Sequence, residues 1–92
     1  MSQPIAVACR PSAAGWVCDV RVGDDAGATH HRVTVPAAEL ARLDPGAADP
    51  ADLVRRSFDF LLRHEPREAI LRSFELPVIG RYFPEWEREL RA

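Results

Sequence analysis

Two cysteines and two histidines are the residues of this chain best suited to metal or redox chemistry. Cys9, Cys18 and His31 fall at the same phase of three segments in which apolar and polar residues alternate, and in strands such residues share a face. Antiparallel pairing of the first two segments can place Cys9 opposite Cys18. A zinc site at these three residues is one interpretation, but it lacks a fourth ligand and a C-x-x-C spacing. We favour the other interpretation, in which the cysteines are buried residues with free thiols.

Cationic side chains occupy the opposite phase of the same three segments. Arg10, Arg21, His30 and Arg32 are expected to project from one face of a sheet, with Asp19 between them. Such a face could contact phosphate or an acidic partner, or it could be an ordinary solvated surface. No aromatic residue interleaves with the cations, so the sequence does not predict the base-stacking platform of RNA-binding domains. We take these four cations as a candidate interaction surface.

The sequence contains no recognisable catalytic motif. His64-Glu65 begins like the H-E-x-x-H of metalloproteases, but the second histidine is missing and Pro66 interrupts the helix. Ser57 and Ser73 lie outside any nucleophile-elbow pattern. We therefore predict no catalytic residue, no cofactor and no metal, and lean towards a protein that is not an enzyme.

The C-terminal run GRYFPEW, residues 80–86, is the most distinctive short motif. Aromatic residues are enriched at the centres of protein interfaces, but a small domain also needs them to close its core. Both interpretations stay open for this run. We add Tyr82 and Trp86 to the candidate interaction surface.

The first third of the chain predicts strands. Alternation with a period of two places strands at about 5–10, 16–22 and 29–35. The connections at 11–15 and 23–27 are short and rich in Pro, Gly, Ser and Asp, which are typical turn residues. Short connections favour antiparallel neighbours, so a three-stranded meander is expected.

The rest of the chain predicts short helices that prolines separate. Pro50, Pro66, Pro77 and Pro84 each stand where one helix ends or the next begins. Phe58 and Leu61 lie within a wide apolar arc of the longest helix and are the leading core residues. The predicted helices cover about 37–43, 50–64, 66–74 and 78–90. The expected structure is one α+β domain spanning 1–92, with a three-stranded antiparallel meander and three to four helices packed on one of its faces.

The C-terminal half resembles that of a group of small bacterial proteins. Their recurrent patterns are SF-x-FLL, EP-x-x-IL and VI-x-RYFPE, which correspond here to Ser57–Leu62, Glu65–Leu71 and Val78–Glu85. The resemblance covers about the last forty residues and implies no known activity. The β-β-β-α order also resembles the small partial double-stranded-RNA-binding-like fold of HicB-type antitoxins.

Charge and composition exclude some classes of function but do not identify a reaction. The formal net charge of −2 over 92 residues argues against strong nonspecific binding to nucleic acid or to an anionic membrane. There is no signal-peptide pattern and no membrane-length apolar run, so a cytoplasmic location is expected. We predict a non-enzymatic protein-interaction module, with a protein partner or a homodimer. The alternatives are an antitoxin-like regulator that also binds nucleic acid, and a Cys/His metal-binding or enzymatic protein.

Overall fold

The computed structural model describes residues 3–91 as a four-stranded mixed sheet with four helices. The strands are β1 (Ile5–Ser12), β2 (Gly15–Val22), β3 (Thr29–Pro36) and β4 (Ser73–Glu75). The helices are α1 (Ala37–Leu43), α2 (Ala51–His64), α3 (Val78–Tyr82) and α4 (Trp86–Arg91). The α+β class is confirmed.

The antiparallel meander of β1, β2 and β3 is confirmed, and its register follows the predicted alternation. Cys9 lies opposite Cys18, and Val20 lies opposite His31. The predicted strands are slightly too short. β1 ends two residues later than predicted, β3 ends one residue later, and β2 begins one residue earlier. The Gly23 N–H donates to the Pro4 carbonyl at 2.8 Å, which shows that even-numbered residues of β1 direct their peptide groups towards β2.

The predicted helix at 66–74 is wrong. After Pro66 the chain makes a single 3₁₀ turn at Arg67–Ala69 and then extends into β4, which pairs in parallel with β3. The Arg32 N–H donates to the Arg72 carbonyl at 2.7 Å. Tertiary pairing therefore overrides a helical apolar spacing here, because the polar groups along β3 would otherwise lack partners on that side. The sheet is four-stranded and mixed, with the order β1-β2-β3-β4.

The other helices follow the proline pattern more closely. α1 has its predicted bounds, and α2 begins one residue later than predicted, where the Asp49 carboxylate accepts a hydrogen bond from the Ala51 N–H at 2.9 Å. The predicted helix at 78–90 is interrupted at 83–85 and forms α3 and α4. Pro84 accounts for the break, since proline clashes with the preceding helical turn and lacks an N–H.

The core lies between one face of the sheet and the helices. Phe58 and Leu61 are buried as predicted, and the fully buried Trp86 joins them from α4. Core-facing residues of β3, with Cys18, Val20 and Val22 of β2, are almost completely buried. Ile5, Val7 and Cys9 of β1 are only partly covered. No helix in the described part of the chain is long and apolar enough to span a membrane.

Candidate functional site

Cys9 and Cys18 are joined in a disulfide, so the prediction of free thiols is wrong. The two residues face each other across β1 and β2 at a position that carries no ladder hydrogen bond, and their Cα atoms are 4.0 Å apart. Neighbouring strands approach most closely at such positions, which brings the two sulfurs together. The free-thiol prediction rested on the expected cytoplasmic location, because disulfides are rare in the cytosol.

His31 is held inside the core by hydrogen bonds to protein groups. Its Nδ1–H donates to the Leu71 carbonyl at 2.7 Å, and the Thr29 hydroxyl donates to Nε2 at 2.9 Å. The imidazole also stacks against Phe58, with 5.2 Å between the ring centroids. Burial lowers the pKa of His31 below its ordinary value of 6.5, because a charged ring loses its hydration there. His31 is therefore a neutral link between β3 and the segment before β4.

The zinc interpretation is not supported by this geometry. Both thiols are consumed in the disulfide, and both ring nitrogens of His31 have protein partners. Within residues 3–91, no group of three or more His, Cys, Asp and Glu side chains is placed to hold a metal ion.

The outer face of the sheet carries the predicted cations, and no helix of the described part of the chain covers it. Arg10, Arg21, His30 and Arg32 are all exposed. Asp19 pairs with Arg10 at 2.7 Å and with Arg32 at 3.3 Å. The hydrogen bond from Arg10 lowers the pKa of Asp19, and that from Arg32 adds to the effect. Arg21 takes part in no ion pair within the described residues, so its charge is available to a partner.

Arg72 is a further cation of this face that the sequence did not reveal. It lines a shallow depression of about 620 Å³ together with Arg21, His30 and Arg32, and Ala6 and Ala8 are among the other lining residues. A helix at 66–74 would have placed Arg72 on a different layer of the molecule. The available signal was the alternation of Phe74 and Leu76 with the polar residues Ser73 and Glu75, which also fits an extended chain. We call this surface, with Arg10, Arg21, His30, Arg32 and Arg72, the basic face.

A second surface is an apolar groove between α2, β4 and α3. Its volume is about 420 Å³, and Glu65 supplies a carboxylate to a lining that is otherwise largely apolar. Leu71 and Tyr82, which border it, are 50% and 69% exposed, an unusual degree for large hydrophobic residues. The groove is lined by Leu61, Glu65, Ala69, Ile70, Leu71, Phe74, Val78, Ile79, Tyr82 and Phe83.

Trp86 does not belong to the candidate interaction surface. Its side chain is fully buried, and its indole N–H donates to the Ser57 hydroxyl at 3.2 Å. That hydroxyl donates in turn to the Leu53 carbonyl at 2.8 Å, so the polar atom of the indole has a partner inside the core. The two aromatic candidates therefore have different roles. Trp86 closes the core, whereas Tyr82 faces solvent beside the groove.

The free edge of β4 lies between the basic face and the apolar groove. The Arg32 N–H bonds the Arg72 carbonyl and the Leu76 N–H bonds the Thr34 carbonyl at 2.9 Å, so alternate residues of this segment face β3. It follows that the peptide groups of Ser73 and Glu75 point away from the sheet. Both residues are exposed, which leaves these groups accessible for pairing with another strand.

Several arginines of the helical layer are already engaged within the protein. Arg42 of α1 donates to Glu87 of α4 at 3.1 Å, and this hydrogen bond lowers the pKa of Glu87. Arg56 of α2 donates to the Leu90 carbonyl at 3.0 Å. These arginines tie helices to one another, in contrast to Arg21 and Arg72 on the outer face.

Comparisons with protein-family models, with curated proteins and with solved structures find no match for this chain. The function has to be argued from the geometry alone.

Proposed function

We propose that this protein is a small non-enzymatic interaction module that binds an extended segment of a protein partner along the free edge of β4. The observation that carries the proposal is the meeting of three features at one edge: unpaired peptide groups, an apolar groove and a basic face. Addition of a strand to a sheet edge is a common mode of peptide recognition, in which main-chain hydrogen bonds supply affinity and pockets for alternate side chains supply specificity.

The two sides of the β4 edge favour different side chains on such a segment. Successive residues of a strand point to opposite faces, so alternate residues would enter the apolar groove beside Phe74 and Tyr82. The residues between them would lie on the outer face, near Arg72, which forms no ion pair within residues 3–91. Glu75 stands at the other end of β4 and disfavours a second acidic group there. The preferred partner segment thus alternates apolar and polar residues and carries its acidic residue at the Arg72 end.

A labelled synthetic peptide in which valine alternates with threonine, except for one aspartate at the position that faces Arg72, tests this proposal by fluorescence anisotropy. We expect it to bind more tightly than a scrambled peptide of the same composition, because only the alternating order separates apolar from polar side chains and places the aspartate beside Arg72. Equal binding of the two peptides, or no binding of either, would contradict the proposal.

Substitution of Glu75 tests the role of the edge. Glu75→Pro removes an N–H that points away from β3, so the ladder within the sheet keeps its hydrogen bonds. We expect this variant to lose about tenfold in peptide affinity, the value of a hydrogen bond of about 1.4 kcal/mol. Glu75→Ala removes the same side chain but keeps the N–H, so it should bind at least as well as the wild type. Equal binding by both variants would argue against pairing at β4.

The antitoxin-like alternative draws support from the arginines and His30 that line one depression on the basic face. The described outer face carries no Phe, Tyr or Trp side chain on which a base could stack, so we favour a protein partner. A single-stranded oligonucleotide serves as the competing probe. Binding to it that falls steeply with salt, without binding to the alternating peptide, would replace our proposal by this alternative.

A further inference from the structure

The other edge of the sheet, β1, has the features of a surface that pairs with a second copy of itself. We infer that the protein forms a twofold-symmetric dimer in which β1 of one copy pairs antiparallel with β1 of the other. This inference does not depend on the proposed role of β4, because it concerns the opposite edge of the sheet.

The alternation of hydrogen bonding along β1 shows which of its peptide groups are free. The bond from Gly23 to Pro4 and the hairpin register direct the even-numbered residues towards β2. The peptide groups of Ile5, Val7 and Cys9 therefore point away from the sheet. This edge is longer than that of β4, since β1 has 8 residues and β4 has 3. Pro11 protects only the end of this edge, because its missing N–H lies on the free side, and it leaves the peptide groups of Ile5, Val7 and Cys9 available.

One register between the two β1 strands lets the free peptide groups of Ile5, Val7 and Cys9 pair with one another. With Val7 opposite its own symmetry mate, Ile5 of each copy lies opposite Cys9 of the other, and each of the three residues both donates and accepts. Such a contact is isologous, because the same residues serve in both copies. Registers shifted by two residues would leave one of these residues without a partner among the three.

The side chains of β1 are compatible with that register on both faces. Ala6 and Ala8 would meet across the junction on the outer face, where small side chains let two strands approach. Arg10 would lie opposite Pro4 rather than opposite the second Arg10, so no like charges face each other. On the inner face Ile5, Val7 and Cys9 are only partly covered in the single chain, and a second copy would complete their burial. This incomplete burial is the independent reason to place a second copy there.

Val7→Pro tests the pairing because it removes the central donor of the free edge and no hydrogen bond of the β1–β2 ladder. We expect sedimentation equilibrium to show a dimer for the wild type, and a dimer dissociation constant at least about tenfold higher for Val7→Pro, since symmetry deletes the bond in each copy. Val7→Ala is the matched control: it removes the same partly covered side chain but keeps the N–H, so it should weaken the dimer less than Val7→Pro.

Amide hydrogen exchange provides a second measurement if Val7→Pro fails to fold. In the wild type, the amides of Val7 and Cys9 should be protected at high protein concentration and should exchange quickly after dilution. The amides of Ala6 and Ala8, which face β2, should be protected under both conditions. A monomeric mass throughout, or fast exchange of Val7 and Cys9 at high concentration, would overturn the inference. Either result would leave the peptide-binding proposal for β4 intact.

Discussion

His30 and His31 are neighbours in β3 and lie in opposite surroundings. The His31 ring is 3% exposed, has protein partners at both nitrogens and packs on Phe58. His30 lies on the outer face among exposed arginines. A similar contrast holds for the sheet: helices cover most of the inner face, whereas the outer face presents charges to solvent. Stability should therefore depend on the inner face, and recognition on the outer face and the edges.

The largest effect on stability should come from Phe58, at the centre of the inner face. Phe58→Ala removes a fully buried ring and leaves a cavity, so the free energy of unfolding should fall by about 3–5 kcal/mol. Denaturant unfolding followed by circular dichroism measures this loss. Leu71→Ala, at a residue that is 50% exposed, is the control and should cost less than about 1 kcal/mol. An unchanged unfolding midpoint for Phe58→Ala would refute its place in the core.

The disulfide should contribute the next largest effect. It joins residues with a sequence separation of 9, and closing so short a loop in the unfolded chain is worth about 2–3 kcal/mol. Unfolding in the presence of a reductant should show that loss. The double variant Cys9→Ser/Cys18→Ser should be insensitive to the reductant, and a wild type equally insensitive would show that the cross-link does not stabilise the fold.

The free energy of unfolding should depend on pH through His31. Because the pKa of His31 is lowered in the folded state, the unfolded chain gains a proton below pH 6.5 that the folded chain does not. The free energy of unfolding should therefore fall as the pH drops below 6.5, by at most about 1.4 kcal/mol per pH unit, and level off below the folded pKa.

One substitution separates this effect from other titrations. His31→Gln should flatten the dependence between pH 7.5 and 5.5 relative to the wild type. Asp19, Glu68 and Glu87 have lowered pKa values, so their contributions are lost only at more acidic pH. A wild-type slope in His31→Gln would contradict the assignment to His31.

The smallest effect on stability is expected on the outer face. Arg21→Glu should change the free energy of unfolding by no more than about 0.5 kcal/mol, because the side chain is exposed. It should nevertheless weaken binding of the alternating peptide. Arg88→Glu on α4 makes the same charge change in the helical layer, so it should leave peptide binding unchanged. Equal losses from both variants would mean that net charge, rather than the basic face, controls binding.

The sequence was most informative where a local pattern and the tertiary structure agree. The alternation in 5–35 predicted three strands, their order, the facing of Cys9 and Cys18, and the separation of His30 from His31. The apolar arc of α2 predicted that Phe58 and Leu61 are buried. These features depend on side-chain periodicity and short turns, which are visible in a single sequence.

Features that depend on distant partners could not be predicted in this way. The segment 70–76 has a spacing that suits a helix or a strand, and only the free edge of β3 selects the strand. The sequence around Trp86 suits either the core or an interface, and the Ser57 hydroxyl that accepts its indole N–H lies 29 residues away in the chain. The apolar groove and Arg72 were missed because both depend on the placement of β4.

The late position of β4 in the chain has a consequence for folding kinetics. The three strands of the meander are joined by short turns and can pair early, but β4 reaches β3 only after the segment containing α1 and α2 has closed. Leu71, whose carbonyl bonds His31, is separated from it by 40 residues. Closing a long loop is costly before the contacts that reward it have formed. We therefore expect docking of β4 to be a late step in folding, so the proposed partner-binding edge is completed only after the meander that supports it.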